Sequence, residues 1–285
     1  MLETPLTVQV PRERWSHSKD ELFRRCPLAF YRRYVEMLQP RTQRPEPFVG
    51  LALHHARQIF WRTLVEQRTS RLLVDTYLNY TKQLPPSPVD TDTFRDMVAR
   101  GVNVLGAVWR EWREDESIEP GAVEAEFLVP IPGTDGPYLC KLDYFYEAED
   151  GVDIYELKTT FSNRDLDKLE LFDIQTPRYV WAVQQATGKP LRRLIREVDQ
   201  IPKYTRYEAR VERLVDPPSQ REIDWAVHDL AAVIEEAYRP DRLIFHTWRT
   251  SCQFECDFYS ICLANKTGAD ASYIKEQLFT KHGEH

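Results

Sequence analysis

Asp143, Glu156 and Lys158 lie close together in the chain, within two apolar runs joined by the short polar segment 148–151. If the run 152–159 is a strand, Glu156 and Lys158 share one face, because successive side chains of a strand alternate. Antiparallel pairing with the preceding run would bring Asp143 near Glu156. Two carboxylates in one place repel each other unless a cation lies between them. The pattern therefore predicts a divalent metal site, with Lys158 beside it to orient a water molecule or to hold a phosphate oxygen. A metal-dependent site that hydrolyses phosphodiesters has this outline.

The cysteines form a second candidate site. Cys252, Cys256 and Cys262 lie in one short run, and Cys26 lies far away, near the start of the sequence. Because the sequence shows no secretory signal pattern, such a group favours metal binding over disulfides. Four thiolates can bind zinc or an iron–sulfur cluster, and one distant cysteine with three close ones is less typical of zinc than two close pairs. Cys140 alternates with apolar residues and is predicted to be a core thiol.

The elements that must position these residues are visible in the hydrophobic periodicity. Ser18 and Glu21 have the spacing of a helix capping box. Helices are predicted at 18–34, 47–66, 71–83, 91–113, 165–187 and 220–238, and strands at 123–131, 138–147, 152–159, 191–198 and 207–214. This order predicts an α/β fold with a central mixed sheet flanked by helices and a mostly helical N-terminal half. The tail after Lys266 is polar, and we expect it to be loosely ordered.

Composition indicates an ordinary globular protein. Hydrophobic residues make up 42% and charged residues 29% of the chain, which is enough to form a core. Apolar stretches are too short to span a membrane and the N-terminus lacks a signal pattern, so we expect a cytoplasmic location, or the host cytoplasm if a phage encodes the protein. A net charge of −7 argues against a nonspecific nucleic-acid coat. The basic stretches 12–44 and 189–213 could still follow a nucleic acid, or could be solvated surface.

Taken together, the motifs resemble the RecB-type branch of the PD-(D/E)XK nuclease superfamily. The chain is similar to the CRISPR adaptation nucleases, to AddB-type nuclease domains and to their phage relatives, over about residues 16–262. The resemblance rests on Ser16-His17-Ser18 with Phe23, Cys26-Pro27 and Tyr31, on Gly50-Leu51-Ala52-Leu53-His54, on Asp143 with Glu156-Leu157-Lys158, on Gln175-Thr176-Pro177-Arg178-Tyr179, and on Cys252, Cys256 and Cys262. Two features depart from the family pattern. Three residues separate Cys252 from Cys256 where many relatives have two, and Lys141 stands where relatives often have glycine.

The resemblance implies a restriction-endonuclease-like core and specific roles for residues. Mg²⁺ or Mn²⁺ would be bound by Asp143, Glu156, the backbone carbonyl of Leu157 and a histidine, either His54 or its neighbour His55. Gln175 and Tyr179 would lie beside the site and hold substrate or the sheet edge. Glu124 is a further candidate ligand, and Glu126 is its alternative because both lie on one face of their strand. Cys26, Cys252, Cys256 and Cys262 would hold a [4Fe–4S] cluster, with Zn²⁺ as the alternative.

Three regions are expected, which would pack as one compact unit. They are a helical N-terminal region (1–119) that carries the first cluster cysteine and the histidine motif, an α/β core (120–215), and a C-terminal helix with the cysteine run (216–285).

The sequence thus predicts a metal-dependent deoxyribonuclease, of exonuclease type, in recombination, repair or related DNA processing. Its partners would be single-stranded DNA or end-bearing duplex DNA, and a helicase or recombination protein; no membrane partner is expected. Two alternatives stay open. One is a catalytically idle relative that binds DNA or a helicase. The other is a zinc-stabilised interaction protein in which the charges around Asp143 are a solvated surface hairpin.

Overall fold

The computed structural model describes residues 14–41, 45–83, 91–112, 119–160, 173–201, 209–214, 216–239 and 244–281. The helices are α1 (His17–Arg25), α2 (Pro27–Tyr34), α3 (Pro45–Arg62), α4 (Ser70–Gln83), α5 (Thr91–Trp112), α6 (Gln175–Thr187), α7 (Gln220–Tyr238), α8 (Cys252–Glu255), α9 (Tyr259–Thr267) and α10 (Ala271–Leu278), with a 3-10 turn at Val65–Gln67. The strands are β1 (Trp15–Ser16), β2 (Leu38–Pro40), β3 (Ala122–Pro130), β4 (Pro137–Glu147), β5 (Val152–Thr160), β6 (Leu191–Gln200), β7 (Arg210–Leu214) and β8 (Phe279–Lys281).

The chain forms two compact units. The sheet unit contains Gln43–Phe127 and Cys140–Asp224, and the terminal unit contains Met1–Thr42, Leu128–Leu139 and Trp225–His285. The chain passes between the units within β3, β4 and α7. The three-region division made from the sequence stays a prediction, since compact packing does not define functional regions.

The sheet unit is built on a mixed sheet. Its strands lie in the order β4, β5, β6, β7, with β3 paired to β4. β4 and β5 are antiparallel, β5 and β6 are parallel, and β6 and β7 are antiparallel. This confirms the α/β class and the central mixed sheet.

One face of this sheet packs on α3, α4 and α5. The shared apolar core includes Tyr155 and Leu157 of β5 together with Leu53 and Trp61 of α3. Because side chains alternate along a strand, Glu156 lies on the opposite face from Tyr155 and Leu157. The sequence therefore divides β5 into one face for packing and one face for chemistry.

A buried ion cluster joins α3 to β6. Arg57 is 1% exposed, and its guanidinium pairs with Glu197 and, at 2.8 Å, with Asp199. The indole of Trp112 also donates to Glu197. Burial raises the pKa of Asp199 to about 7, and the adjacent Glu197 carboxylate adds to the rise while Arg57 opposes it. This buried group of charges anchors α3, the helix that carries His54, to β6.

The terminal unit has its own aromatic core. Trp15 contacts the rings of Phe23, Phe30 and Tyr238 at centroid distances of 5.5–6.0 Å. β2 pairs with β8 in an antiparallel ribbon. The prediction of a loosely ordered tail after Lys266 is wrong, because α10 and β8 are formed there and Phe279 is buried against Phe258.

The predicted helix 18–34 is two helices. Cys26 has extended backbone angles (φ −163°, ψ 108°) between them, because a residue before proline is disfavoured in the helical region and Pro27 has no N–H to donate. Ser16, and not Ser18, caps α1 by accepting from the Lys19 amide. The predicted capping box is therefore wrong by two residues, and the break places Cys26 at a turn.

Candidate active site and cysteine pocket

The β4–β5 hairpin forms as the sequence predicts. Its paired residues run from Glu147 with Val152 to Tyr144 with Tyr155. One residue beyond the last pair, the Asp143 carboxylate takes the place of a backbone acceptor, and its Oδ2 accepts from the Leu157 amide at 2.7 Å. Since the N–H and C=O of one strand residue point to the same edge, the Leu157 carbonyl also faces the Asp143 side of β5.

Helix α3 brings a histidine to the same carboxylate. His54 Nδ1 lies 3.2 Å from Asp143 Oδ1, whereas His55 packs on the Tyr80 ring at 4.6 Å. The structure therefore selects His54 over His55 as the neighbour of Asp143. Burial tends to raise the pKa of Asp143, but His54, the Leu157 amide and Lys158 outweigh it and hold that pKa below its ordinary value.

Glu156 is the buried carboxyl of the site. The residue is 4% exposed, and its Oε2 lies 3.4 Å from Thr176 Oγ1 on α6. Burial raises the pKa of Glu156 to about 7; Lys158 opposes the rise, and the negative charges of Asp143 and Asp173 add to it. A carboxyl held this way gains a strong preference for ionisation once a cation is placed beside it.

Lys158, Gln175 and Tyr179 form a hydrogen-bonded chain. The Lys158 ammonium donates to Gln175 Oε1, and Gln175 Nε2 donates to Tyr179 Oη at 2.7 Å. Gln175 and Tyr179 are one turn apart on α6 and share a face. The predicted helix 165–187 begins at Gln175 in the structure, and residues 165–172 lie outside the described part.

Asp173, Thr176 and Arg196 belong to the site and were not predicted. Asp173 caps α6 by accepting from the Gln175 amide at 2.9 Å, and it also bonds Thr176 Oγ1 and pairs with Arg196. Burial raises the pKa of Asp173, but Thr176 and Arg196 outweigh this and lower it. This role was missed because Asp173 falls inside the predicted helix 165–187, whereas the helix begins at Gln175.

Glu124 is held away from these groups by other partners. Its carboxylate accepts from Gln58 and pairs with Lys141, and its backbone has a positive φ of 53°, which is uncommon for a residue other than glycine. Glu126 is exposed. Gln58 lies one turn after His54 on α3, so this contact connects Glu124 to the helix that carries the histidine.

The basic stretch 189–213 is largely neutralised where it is described. Arg192 and Arg193 both pair with Asp153, at 2.6 and 2.9 Å, and Arg213 pairs with Glu197 at 3.2 Å. These contacts give Arg192, Arg193 and Arg213 a structural role in the sheet, and residues 202–208 of the stretch lie outside the described part.

The four predicted cluster cysteines line one pocket of the terminal unit. Arg32 donates to Cys262 Sγ at 3.0 Å, and the Thr247 amide donates to Cys26 Sγ at 3.5 Å. Burial raises the pKa of Cys256, and the sulfurs of Cys262 and Cys26 raise it further. The four thiols thus lie around one common cavity.

Cys140 is separate from this pocket. It belongs to the sheet unit and is fully buried, which confirms the prediction of a core thiol.

Among the described residues, no three His, Cys, Asp or Glu side chains already have the arrangement of a metal cage. In that same part of the chain, no helix combines the length and apolar character that crossing a bilayer requires.

The fold is similar to that of a solved structure. The crystal structure of a putative exonuclease from Eubacterium rectale is similar with a TM-score of 0.50 and 12% identity, covering 86% of this chain and 94% of that one. The crystal structure of SSO0001 matches more weakly, with a TM-score of 0.34 and 14% identity over 76% of this chain and 85% of that one. A search of curated proteins found no match.

The first of these likenesses supports a restriction-endonuclease-like core, with its mixed sheet between helices. The sequence profile of the PD-(D/E)XK nuclease superfamily matches residues 14–263. That span includes the β4–β5 hairpin, helices α3 and α6 and all four pocket cysteines. The chain belongs to the PD-(D/E)XK nuclease superfamily.

Proposed function

We propose that this protein is a metal-dependent deoxyribonuclease of the RecB-type branch. The observation that carries the proposal is the convergence of His54, Asp143, Glu156 and Lys158 from α3, β4 and β5. Exonuclease action in recombination, repair or related DNA processing follows from the family resemblance. The putative exonuclease that shares the fold is consistent with it.

The donor set fits Mg²⁺ or Mn²⁺. Asp143 and Glu156 offer carboxylate oxygens, the Leu157 carbonyl faces the same edge, and His54 adds an imidazole nitrogen. Hard divalent ions prefer oxygen ligands, and the imidazole favours Mn²⁺. The raised pKa of Glu156, near 7 without a cation, is the property expected of a carboxyl built to face one. Glu124 would join the set only after release from Lys141 and Gln58.

When bound, the divalent ion would neutralise phosphate charge and acidify a water molecule. The chain's own residues do the remaining work. Asp143, fixed by the Leu157 amide, and buried Glu156 define where the scissile phosphate sits. Lys158 carries a positive charge at the open side of the site, where it orients the attacking water or stabilises charge that develops on the phosphate. Gln175 and Tyr179 hold Lys158 in that position.

Cys26, Cys252, Cys256 and Cys262 would hold a [4Fe–4S] cluster in the terminal unit. Their shared pocket supports this proposal, and so do the donors to sulfur, because hydrogen bonds from Arg32 and from backbone amides are the kind of contact that tunes cluster thiolates. The cluster would tie Cys26 to a run more than two hundred residues later, so we assign it a structural role. Zn²⁺ is the alternative occupant of the same thiolates.

The test is a degradation assay on end-labelled single-stranded and duplex DNA with Mg²⁺, Mn²⁺ or EDTA. Metal-dependent shortening from one end supports the exonuclease. A catalytically idle DNA- or helicase-binding relative would bind DNA and leave it intact in both metals. Stoichiometric zinc, with neither iron nor cleavage, would favour the zinc-stabilised interaction protein instead.

A further inference from the structure

Large aromatic side chains are exposed beside the cysteine pocket. Phe245, Trp248 and Phe254 have 57%, 45% and 65% of their surface accessible. Such rings are usually buried, and a group of them on a surface marks a binding region. Phe245 and Trp248 lie on the segment 244–251, which we call the aromatic loop.

The aromatic loop is fixed by its backbone. The Leu28 amide donates to the Phe245 carbonyl at 3.2 Å, and the Thr247 amide donates to Cys26 Sγ at 3.5 Å. Cys252 Sγ lies 3.7 Å from the Thr247 carbonyl. Because Phe245 and Thr247 use backbone groups to hold the loop against α2 and the cysteines, the exposed rings are presented on a rigid support, which lowers the entropy lost when a ligand binds.

The basic groups on and next to the aromatic loop favour an anionic ligand there, while the exposed acidic residue Glu255 lies outside the loop, next to Phe254. The loop reads Ile-Phe-His-Thr-Trp-Arg-Thr-Ser and has no acidic residue, although the whole chain has a net charge of −7. Lys266 Nζ lies 5.2 Å from the Trp248 ring centroid, and the His246 ring meets Trp248 edge-on at 4.7 Å. Arg249 is exposed next to Trp248. The two exposed rings of the aromatic loop therefore share the loop with Arg249, and Trp248 also lies close to Lys266 on α9.

We infer that the aromatic loop binds single-stranded nucleic acid, with bases stacked on Trp248 and Phe245 and phosphates paired with Arg249 and Lys266. Sequence-independent binding of single strands combines these two kinds of contact. This inference rests on the proposed function, because it supplies the substrate class of the nuclease. A docking site for an apolar protein surface fits less well, since the polar residues His246 and Thr247 separate the two rings and Arg249 follows them.

Binding is measured by anisotropy of a fluorescein-labelled oligothymidylate in EDTA, where metal-dependent cleavage is blocked. Trp248→Ala should weaken binding by about tenfold, since stacking on one ring contributes on the order of that factor or more. Trp248→Phe should recover most of it. Arg249→Gln should weaken binding and flatten its salt dependence.

Trp225→Ala is the matched control. Trp225 is 59% exposed on α7, within the same unit, but Glu222 and Asp229 lie one turn away on either side of it. Its loss should leave the affinity unchanged. The inference is overturned if wild-type protein does not bind the oligonucleotide, or if Trp248→Ala binds as tightly as Trp225→Ala; the aromatic loop would then be assigned to a protein partner.

Hydrolysis of bis(p-nitrophenyl) phosphate with Mn²⁺ separates this inference from the proposed function. The small diester needs the catalytic centre but has no strand to stack, so Trp248→Ala should retain the wild-type rate while Asp143→Ala loses it. Failure of wild-type protein to hydrolyse any diester would count against the proposed nuclease, and the anisotropy result would still decide the role of the aromatic loop.

Discussion

His54 Nδ1 and Asp143 Oδ1 are 3.2 Å apart, although the two residues are 89 positions apart in the chain. The other oxygen of the same carboxylate accepts from the Leu157 amide at 2.7 Å. Asp143 therefore joins helix α3 to both strands of the hairpin. The orientation of the Asp143 carboxylate is set by His54 and by the Leu157 amide, and this orientation determines where a cation bound by the carboxylate would lie.

Removing either carboxylate should abolish DNA cleavage without unfolding the protein. Asp143→Ala and Glu156→Ala each take away an anionic ligand of the proposed metal, so turnover should drop by several orders of magnitude. Far-UV circular dichroism should be unchanged. Glu149→Gln, in the exposed turn of the same hairpin, is the control and should cleave normally. Wild-type turnover in both alanine variants would refute the assignment.

The pH dependence of stability should report the burial of Glu156. Its folded pKa is about 7, above an ordinary value of 4.5. A raised acid pKa gives stability that is present below the unfolded value and lost as pH rises through the folded one. In EDTA, wild-type protein should lose up to roughly 3 kcal/mol between pH 4.5 and 7.5 relative to Glu156→Gln. If the difference in free energy of unfolding between wild-type protein and Glu156→Gln is the same at every pH in this range, the raised pKa of Glu156 is excluded.

Lys158 and Gln175 should act as a coupled pair. Lys158→Ala should slow cleavage strongly and leave divalent-metal affinity nearly intact, because an ammonium group is not a ligand. Gln175→Ala should slow it less, by letting the lysine move. In the Lys158→Ala background, Gln175→Ala should add almost nothing, since its partner is gone. Metal affinity is measured by calorimetry, and loss of metal binding in Lys158→Ala would contradict the role.

Much of the fold could be predicted because helices and strands with one buried face have a regular hydrophobic periodicity in the sequence. α7 occupies the predicted range 220–238, and β4 and β5 are within one residue of their predicted ends. Short elements were missed for the same reason. β2 and β8 have three residues each, too few to show a period, and they exist only because they pair with each other across the length of the chain.

The candidate site was predictable only in part. Asp143, Glu156 and Lys158 are separated by short local spacings that a hairpin turns into proximity. Asp173 and Arg196 come together through an ion pair between the start of α6 and the middle of β6, and no local spacing encodes that contact. Strand alternation places Glu124 and Glu126 on the same face, so the sequence could not choose between them. Glu124 is distinguished by its contacts with Gln58 on α3 and Lys141 on β4.

The four pocket cysteines should bind one iron–sulfur cluster. Anaerobically purified protein should be brown and carry about four iron and four sulfide per chain, as a [4Fe–4S] cluster requires. Replacing Cys26, Cys252, Cys256 or Cys262 by serine should bleach the protein and lower its melting temperature, since the link between distant segments is lost. Cys140→Ser is buried outside the pocket and should stay brown. Stoichiometric zinc without iron would refute the cluster.

Removing the charge of Arg57 should strongly destabilise the sheet unit. Arg57→Met would leave Asp199, at 0% exposure, without its cation, and Glu197, at 2% exposure, would lose its pair with Arg57 and keep its pair with Arg213. Leaving a buried charge uncompensated costs roughly 3–5 kcal/mol of the free energy of unfolding. Arg71→Met breaks a pair that is 89% and 58% exposed and should change stability little.

The Arg57 prediction separates charge from packing. Adding Glu197→Gln and Asp199→Asn to Arg57→Met should restore part of the lost stability, because neutral amides no longer need a buried cation. Since Arg57 lies three residues after His54 on α3, partial restoration of stability should also restore part of the cleavage rate. Urea unfolding followed by tryptophan fluorescence measures the first effect, and the end-labelled DNA assay measures the second. If the triple variant is less stable than Arg57→Met, the cluster acts through shape rather than through charge.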